Sequence, residues 1–90
     1  MNKTLTELRK EIDSFDEELI NVLAKRFVVV REIGTIKKEQ QIQPLDESRF
    51  QDLLQKMVEK AKKHNIPEEL VKKIFNEIHN ASLLIQKNHE

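Results

Sequence analysis

The chain has 90 residues, 38% hydrophobic and 36% charged, with 16 Lys plus Arg against 16 Asp plus Glu. That length makes one domain over residues 1–90, and the even charge balance excludes a basic field that would steer the chain to nucleic acid or anionic lipid. Cys, Trp and Tyr are absent and Gly34 is the lone glycine, which removes disulfides, thiolate chemistry, the usual aromatic platforms for stacking bases and Gly-rich phosphate loops.

The spacing predicts a first helix over about residues 4–40. Thr4-Leu5-Thr6-Glu7 reads as a capping box. Leu5, Leu8, Ile12, Phe15, Leu19 and Val22 then recur in steps of three and four, which draws an apolar stripe on a helix. Val29, Ile33 and Ile36 continue it, but its next position after Val22 is Arg26. A second stripe runs Ile20, Leu23, Phe27 and Val30, then meets Gly34 and Lys37. Arg26 and Lys37 face the same way within about 20° and lie about 16 Å apart along the axis. A helix of about 54 Å exceeds what a compact 90-residue globule, with a radius of gyration of about 12 Å, can cover. It needs a partner chain or an elongated bundle, and the two stripes favour a partner. Gly34 costs about 1 kcal/mol relative to Ala in mid-helix; close helix packing and fraying near the helix end both account for it.

Gln40 to Leu45 breaks the pattern, and Pro44 disfavours helix at the residue before it. Asp46 caps a second helix, expected over 47–63, with Phe50, Leu53, Leu54, Met57, Val58 and Ala61 on one face. His64-Asn65 reads as its stop. Pro67 opens a third helix over 67–87, at a first position where its missing N–H is harmless. Its face runs Leu70, Val71, Ile74, Phe75 and Ile78, until Ser82 and Gln86 interrupt it. No alternating apolar run marks a strand, so the class is all-α. No apolar run spans a membrane, and Met1-Asn2-Lys3-Thr4 is not a signal peptide, so a soluble, cytoplasmic protein is expected.

A charge at a core-phase position, such as Arg26, is rare unless it is paired or binds an anion. Each odd residue also has a plainer reading. Arg26 fits a buried structural ion pair, Lys37 a side chain snorkelling from a helix end, and Arg9 and Arg49 solvated surface positions. Ser82 could bond its own backbone, and Gln86 could simply be exposed. His64, His79 and His89 show no metal-ligand spacing and read as ordinary, and the lysine-rich run from Lys56 to Lys63 reads as a solvated face. Taken jointly, cations at polar breaks on one long helix, with Ser82 and Gln86 breaking another, describe an anion pocket in a helical bundle. It suits a small dicarboxylate, since the planar fork of arginine grips a carboxylate in two places.

With these residues the chain resembles the all-helical (AroQ-type) chorismate mutases over nearly its whole length. The resemblance is carried by Leu8-Arg9-Lys10-Glu11-Ile12-Asp13, Asp16, Leu19, Leu23, Arg26, Ile33-Gly34 and Lys37, then Asp46 and Arg49, then Ser82 and Gln86. It implies a three-helix protomer in an intertwined homodimer with a six-helix core. Each of its two sites would take Arg9 from the partner chain. Arg26 would grip a substrate carboxylate together with it, and Lys37 and Gln86 would donate to the ether oxygen. Asp46, Arg49 and Ser82 would complete the wall and its polar network. The implied reaction is the concerted [3,3] rearrangement of chorismate to prephenate in aromatic amino-acid (Phe/Tyr) biosynthesis by the shikimate pathway. It needs no nucleophile, metal or cofactor, only orientation of a flexible dianion and donors aimed at one oxygen.

Phe50 departs from the resemblance. That position is commonly a glutamate accepting a hydrogen bond from the ring hydroxyl, whereas the related isochorismate-pyruvate lyases tend to carry an apolar residue there. A mutase is the first expectation. The alternatives are isochorismate-pyruvate lyase and a mutase of an amino-substituted chorismate. A reading of another class is a non-catalytic helical dimerisation module, with Arg26 and Lys37 paired to acids.

Overall fold

A computed structural model describes residues 2–88, which leaves His89 outside the described residues. Three helices follow in order: α1 (Leu5–Glu39), α2 (Glu47–Lys63) and α3 (Glu68–Asn88). The Thr4 hydroxyl accepts from the Glu7 N–H at 3.1 Å, and the Asp46 carboxylate accepts from the Arg49 N–H at 3.0 Å. Both are the expected caps, although no return bond from the Glu7 side chain completes the box at Thr4. Pro67 lies just before α3, and its carbonyl accepts from the Val71 N–H at 3.3 Å. It therefore occupies the cap position, one residue before the place expected for it.

α1 and α2 end in the same way. Gln41 (φ 58°) and Asn65 (φ 56°) adopt left-handed conformations. The next N–H folds back five residues, Ile42 to the Lys37 carbonyl at 2.7 Å and Ile66 to the Ala61 carbonyl at 3.0 Å. These are Schellman closures, which satisfy carbonyls left over at a helix end. The one after α1 reverses the chain sharply and brings Pro44 back beside Lys37.

α1 packs on α3 and α2 packs on α3, whereas α1 and α2 do not pack on each other among the described residues. Arg26 meets Ser82 and Gly34 meets Gln86, so α1 and α3 run in the same sense. Phe50 meets His79, while Val58 and Ala61 cluster with Val71, so α2 runs against α3. α3 thus forms the floor between two separated walls.

The core is thin: Val58, Ala61 and Val71, with Met57 and Phe75 packed on them. The chain spans 59 × 26 × 15 Å with a radius of gyration of 16.7 Å, well beyond the compact value. Its accessible surface is 7620 Å², roughly 2,000 Å² more than the about 5,500 Å² expected for a folded monomer of this mass. The excess has a definite place. Every member of the first α1 stripe, from Leu5 to Ile36, is exposed, Leu19 by 63%. The second stripe is covered progressively by α3: Ile20 is exposed, Leu23 and Phe27 are half-buried, and Val30 and Gly34 are buried. No helix among the described residues is long and apolar enough to cross a membrane.

Gly34 is explained by close packing rather than by fraying. A β-carbon there would lie 3.1 Å from Gln86 Cα, so a larger residue would push α1 and α3 apart.

Candidate functional site

Between the C-terminal half of α1, the start of α2 and the last half of α3 lies a cavity of about 250 Å³. Arg26 and Lys37 reach it from α1, Asp46, Arg49 and Phe50 from the cap and first turn of α2, and Ser82 and Gln86 from α3. Helical spacing explains the convergence. Arg26, Val30, Ile33 and Lys37 share one face of α1, and Phe75, His79, Ser82 and Gln86 share one face of α3.

Arg26 is half-buried and donates from Nη1 to the Ser82 hydroxyl at 3.1 Å. Ser82, only 5% exposed, donates its own proton to the Ile78 carbonyl at 2.7 Å. Ser82 therefore does bond its own backbone, as the plain reading held, and the same hydroxyl fixes the guanidinium. One of the five guanidinium N–H groups is thereby engaged, and the others are available for planar recognition of an anion. Lys37 is also half-buried and donates to the Pro44 carbonyl at 2.6 Å. Its ammonium is turned back into the cavity mouth instead of snorkelling outward.

The buried ion-pair reading of Arg26 does not hold within the chain. The ion pairs among the described residues join Lys3 to Glu11, Lys62 to Glu68, and Lys72 to Glu68 and Glu69. None touches Arg26, Lys37 or Arg49. Three cations line one small cavity against the single carboxylate of Asp46, one oxygen of which is already committed to the cap. Arg26 and Lys37 are half-buried and Arg49 is exposed, and cations held together without an ion-pair partner among the described residues suit an anion. Gln86 adds a buried Oε1 with no hydrogen-bond partner. A half-turn of the amide puts its NH₂ there instead, so the position can serve as donor or acceptor.

Between and beside these polar groups the lining is apolar: Val30, Ile33, Leu53, Phe75 and Leu83, with Phe50 buried at 7% exposure. His79 lies here too, and its ring stacks on Phe50 with centroids 3.8 Å apart and planes 9° apart. The sequence reads His79 as ordinary, and the structure places it on the cavity lining. A signal was available: His79 stands three and seven residues before Ser82 and Gln86, on their face of α3. Phe75, Leu53 and Leu83 carried no signal beyond core periodicity.

Arg9 is not brought in. It is exposed, and seventeen residues separate it from Arg26 on one continuous helix, about 25 Å along the axis.

A family profile described as chorismate mutase type II matches residues 8–87. The chain is 27% identical over 89 residues to a chorismate mutase of Methanocaldococcus jannaschii, covering 99% of this chain and 90% of that protein. It is 33% identical over 86 residues to a bifunctional chorismate mutase/prephenate dehydratase of Aquifex aeolicus, covering 92% of this chain and 24% of the relative. A protein of the same description from Buchnera aphidicola is 31% identical over 86 residues, covering 96% of this chain and 22% of the relative.

Proposed function

The chain belongs to the chorismate mutase type II family, and from that premise we propose how its own residues carry out the isomerase reaction, the rearrangement of chorismate to prephenate. The observation that carries the proposal is the cavity where Arg26, Lys37 and Arg49 meet Ser82 and Gln86 among apolar side chains. Chorismate has the matching division, with two carboxylates and an ether oxygen on an unsaturated ring.

In this reading Arg26, steadied by Ser82, grips one carboxylate and holds the enolpyruvyl arm over the ring. As the ether C–O bond breaks and the new C–C bond forms, negative charge grows on the ether oxygen. Lys37 and the Gln86 amide donate to that oxygen. Lys37 is already held by Pro44 and needs little reorganisation, which is where electrostatic preorganisation acts. Arg49 and Asp46 close the polar side. Nothing is attacked and no proton is transferred, so orientation and charge stabilisation are the whole task.

The active form is proposed to be a homodimer in the cytoplasm, with each site completed by Arg9 of the partner subunit. Supporting this are the uncovered stripe from Leu5 to Val22, the excess surface and the distance of Arg9 from the cavity. Buried Phe50, which cannot pair with a ring hydroxyl, favours one second reading, a related substrate such as isochorismate or an amino-substituted chorismate.

The test is an assay of purified protein with chorismate and, separately, isochorismate, alongside Lys37→Ala and Gln86→Ala. Each variant should lose about 3 kcal/mol of transition-state stabilisation, roughly a hundredfold in rate, with little change in thermal stability. Near-normal turnover in both variants would remove these residues from the mechanism.

A further inference from the structure

The cavity brings charged donors and apolar side chains together on the same helix faces. Its donors are concentrated at Arg26, Lys37 and Arg49, and most of its acceptors are already committed. Pro44 accepts from Lys37, Ser82 accepts from Arg26, and Asp46 accepts from the Arg49 N–H. Beside Phe50, the imidazole of His79 can exchange hydrogen bonds with a neutral ligand group. Among the described residues its ring nitrogens have no protein partner, and they are not among the buried unsatisfied atoms.

The stack gives that imidazole a fixed orientation. Phe50 is buried and the two rings are nearly parallel at 3.8 Å, so the nitrogens of His79 lie in a plane set by the α2–α3 contact. A substrate whose carboxylates engage the cations brings its ring among the apolar side chains of this lining, Phe50 included. A ring hydroxyl carried there loses water and finds in Phe50 no partner, a loss worth about tenfold to a hundredfold in affinity if nothing replaces it. Neutral imidazole offers one acceptor and one donor nitrogen.

We infer that His79 is a specificity residue that takes the hydrogen bond of the substrate's ring hydroxyl, with Phe50 serving as the plate that orients it. This rests on the proposed rearrangement at the same cavity. It makes the Phe50–His79 pair a unit, in which the aromatic side chain at position 50 is tolerated because the polar partner comes from α3.

The experiment compares kcat/KM for chorismate and for its ring-deoxy analogue, in which hydrogen replaces the hydroxyl. The wild type should prefer chorismate by about tenfold or more. His79→Phe keeps a ring to stack on Phe50 but removes both nitrogens, and should cut that preference by about tenfold while leaving the analogue within about twofold. His79→Gln should restore part of the preference. Should His79→Phe fail to fold by circular dichroism, His79→Leu carries the same comparison. Equal losses for both substrates would reduce His79 to a structural residue and overturn the assignment, as would an unchanged ratio. Absence of chorismate turnover in the wild type is a different result, which overturns the proposed function itself and the assignment with it.

Discussion

The two halves of α1 obey one periodicity and meet opposite fates. From Leu5 to Val22 the apolar stripe is uninterrupted, and its own chain leaves it uncovered. From Leu23 to Lys37 the apolar pattern is interrupted by Arg26, Gly34 and Lys37, and there the helix packs on α3 and forms a cavity wall. Period alone states that a face will be buried; it does not state by what. The interruptions carry that information. Polar and small residues are tolerated at core phase where another element of the same chain gives each a partner: Ser82 for Arg26, the Pro44 carbonyl for Lys37, the Gln86 backbone for Gly34. The unbroken half has no such partners and suits a flat, repetitive contact with a second copy.

The contrast breaks most sharply at the arginines. If Arg9 in the uncovered half completes a site whose other arginine is Arg26 of the partner subunit, Arg9→Ala and Arg26→Ala homodimers should both lose nearly all activity, because every site loses a bidentate contact. Refolding an equal mixture should make about half the dimers mixed, with one doubly lesioned and one intact site in each. Roughly a quarter of all sites should then recover full activity, if sites act independently. No recovery after verified heterodimer formation would mean that each site is built within one chain.

Stability should separate the halves next. Leu19 is 63% exposed and Val30 6% exposed within the chain. Val30→Ala should cost about 2 kcal/mol whatever the oligomeric state, since it is already buried within the chain. Leu19→Ala should cost about 2–4 kcal/mol if a partner buries it and within about 0.5 kcal/mol if none does. Denaturant unfolding at several protein concentrations distinguishes these outcomes, because an interface lesion becomes more damaging on dilution.

The same residues show what was legible beforehand. Three helices, their caps and their limits to within about a residue followed from apolar spacing, Thr4, Asp46 and the break near Pro44. Arg26, Lys37, Ser82 and Gln86 were visible because each is polar where the period demands burial. His79 gave a weaker signal: it stands on the face of α3 that carries Ser82 and Gln86, but it interrupts no apolar stripe, and its stack on Phe50 follows from the pairing of α2 with α3, which periodicity does not encode. Arg9 is legible in neither way. It is exposed in the chain and on the edge of its stripe, and its proposed role rests only on the family resemblance and a proposed second copy. Phe50 was noticed by comparison with relatives, whereas its burial and its stack belong to the fold.

Gly34→Ala probes the covered half most finely, and its expected effect is the smallest. Two terms oppose each other. Alanine in mid-helix gains about 1 kcal/mol over glycine. Its methyl group, however, would stand 3.1 Å from Gln86 Cα, so the backbone of α3 must move by a few tenths of an ångström. The strain of that approach should roughly cancel the propensity gain. Thermal unfolding should therefore shift by no more than about 1 kcal/mol in either direction. Catalysis should not share that cancellation. The displaced residue is one proposed to donate to the ether oxygen, and positioning errors of this size act on rate more than on folding. A severalfold fall in kcat with nearly unchanged stability is expected. Should stability fall by 3 kcal/mol or more instead, the α1–α3 contact is rigid to its end and part of the core. Should both quantities stay at wild-type values, Gln86 is not held by that contact, and the broken half of α1 positions the site through Arg26 and Lys37 alone.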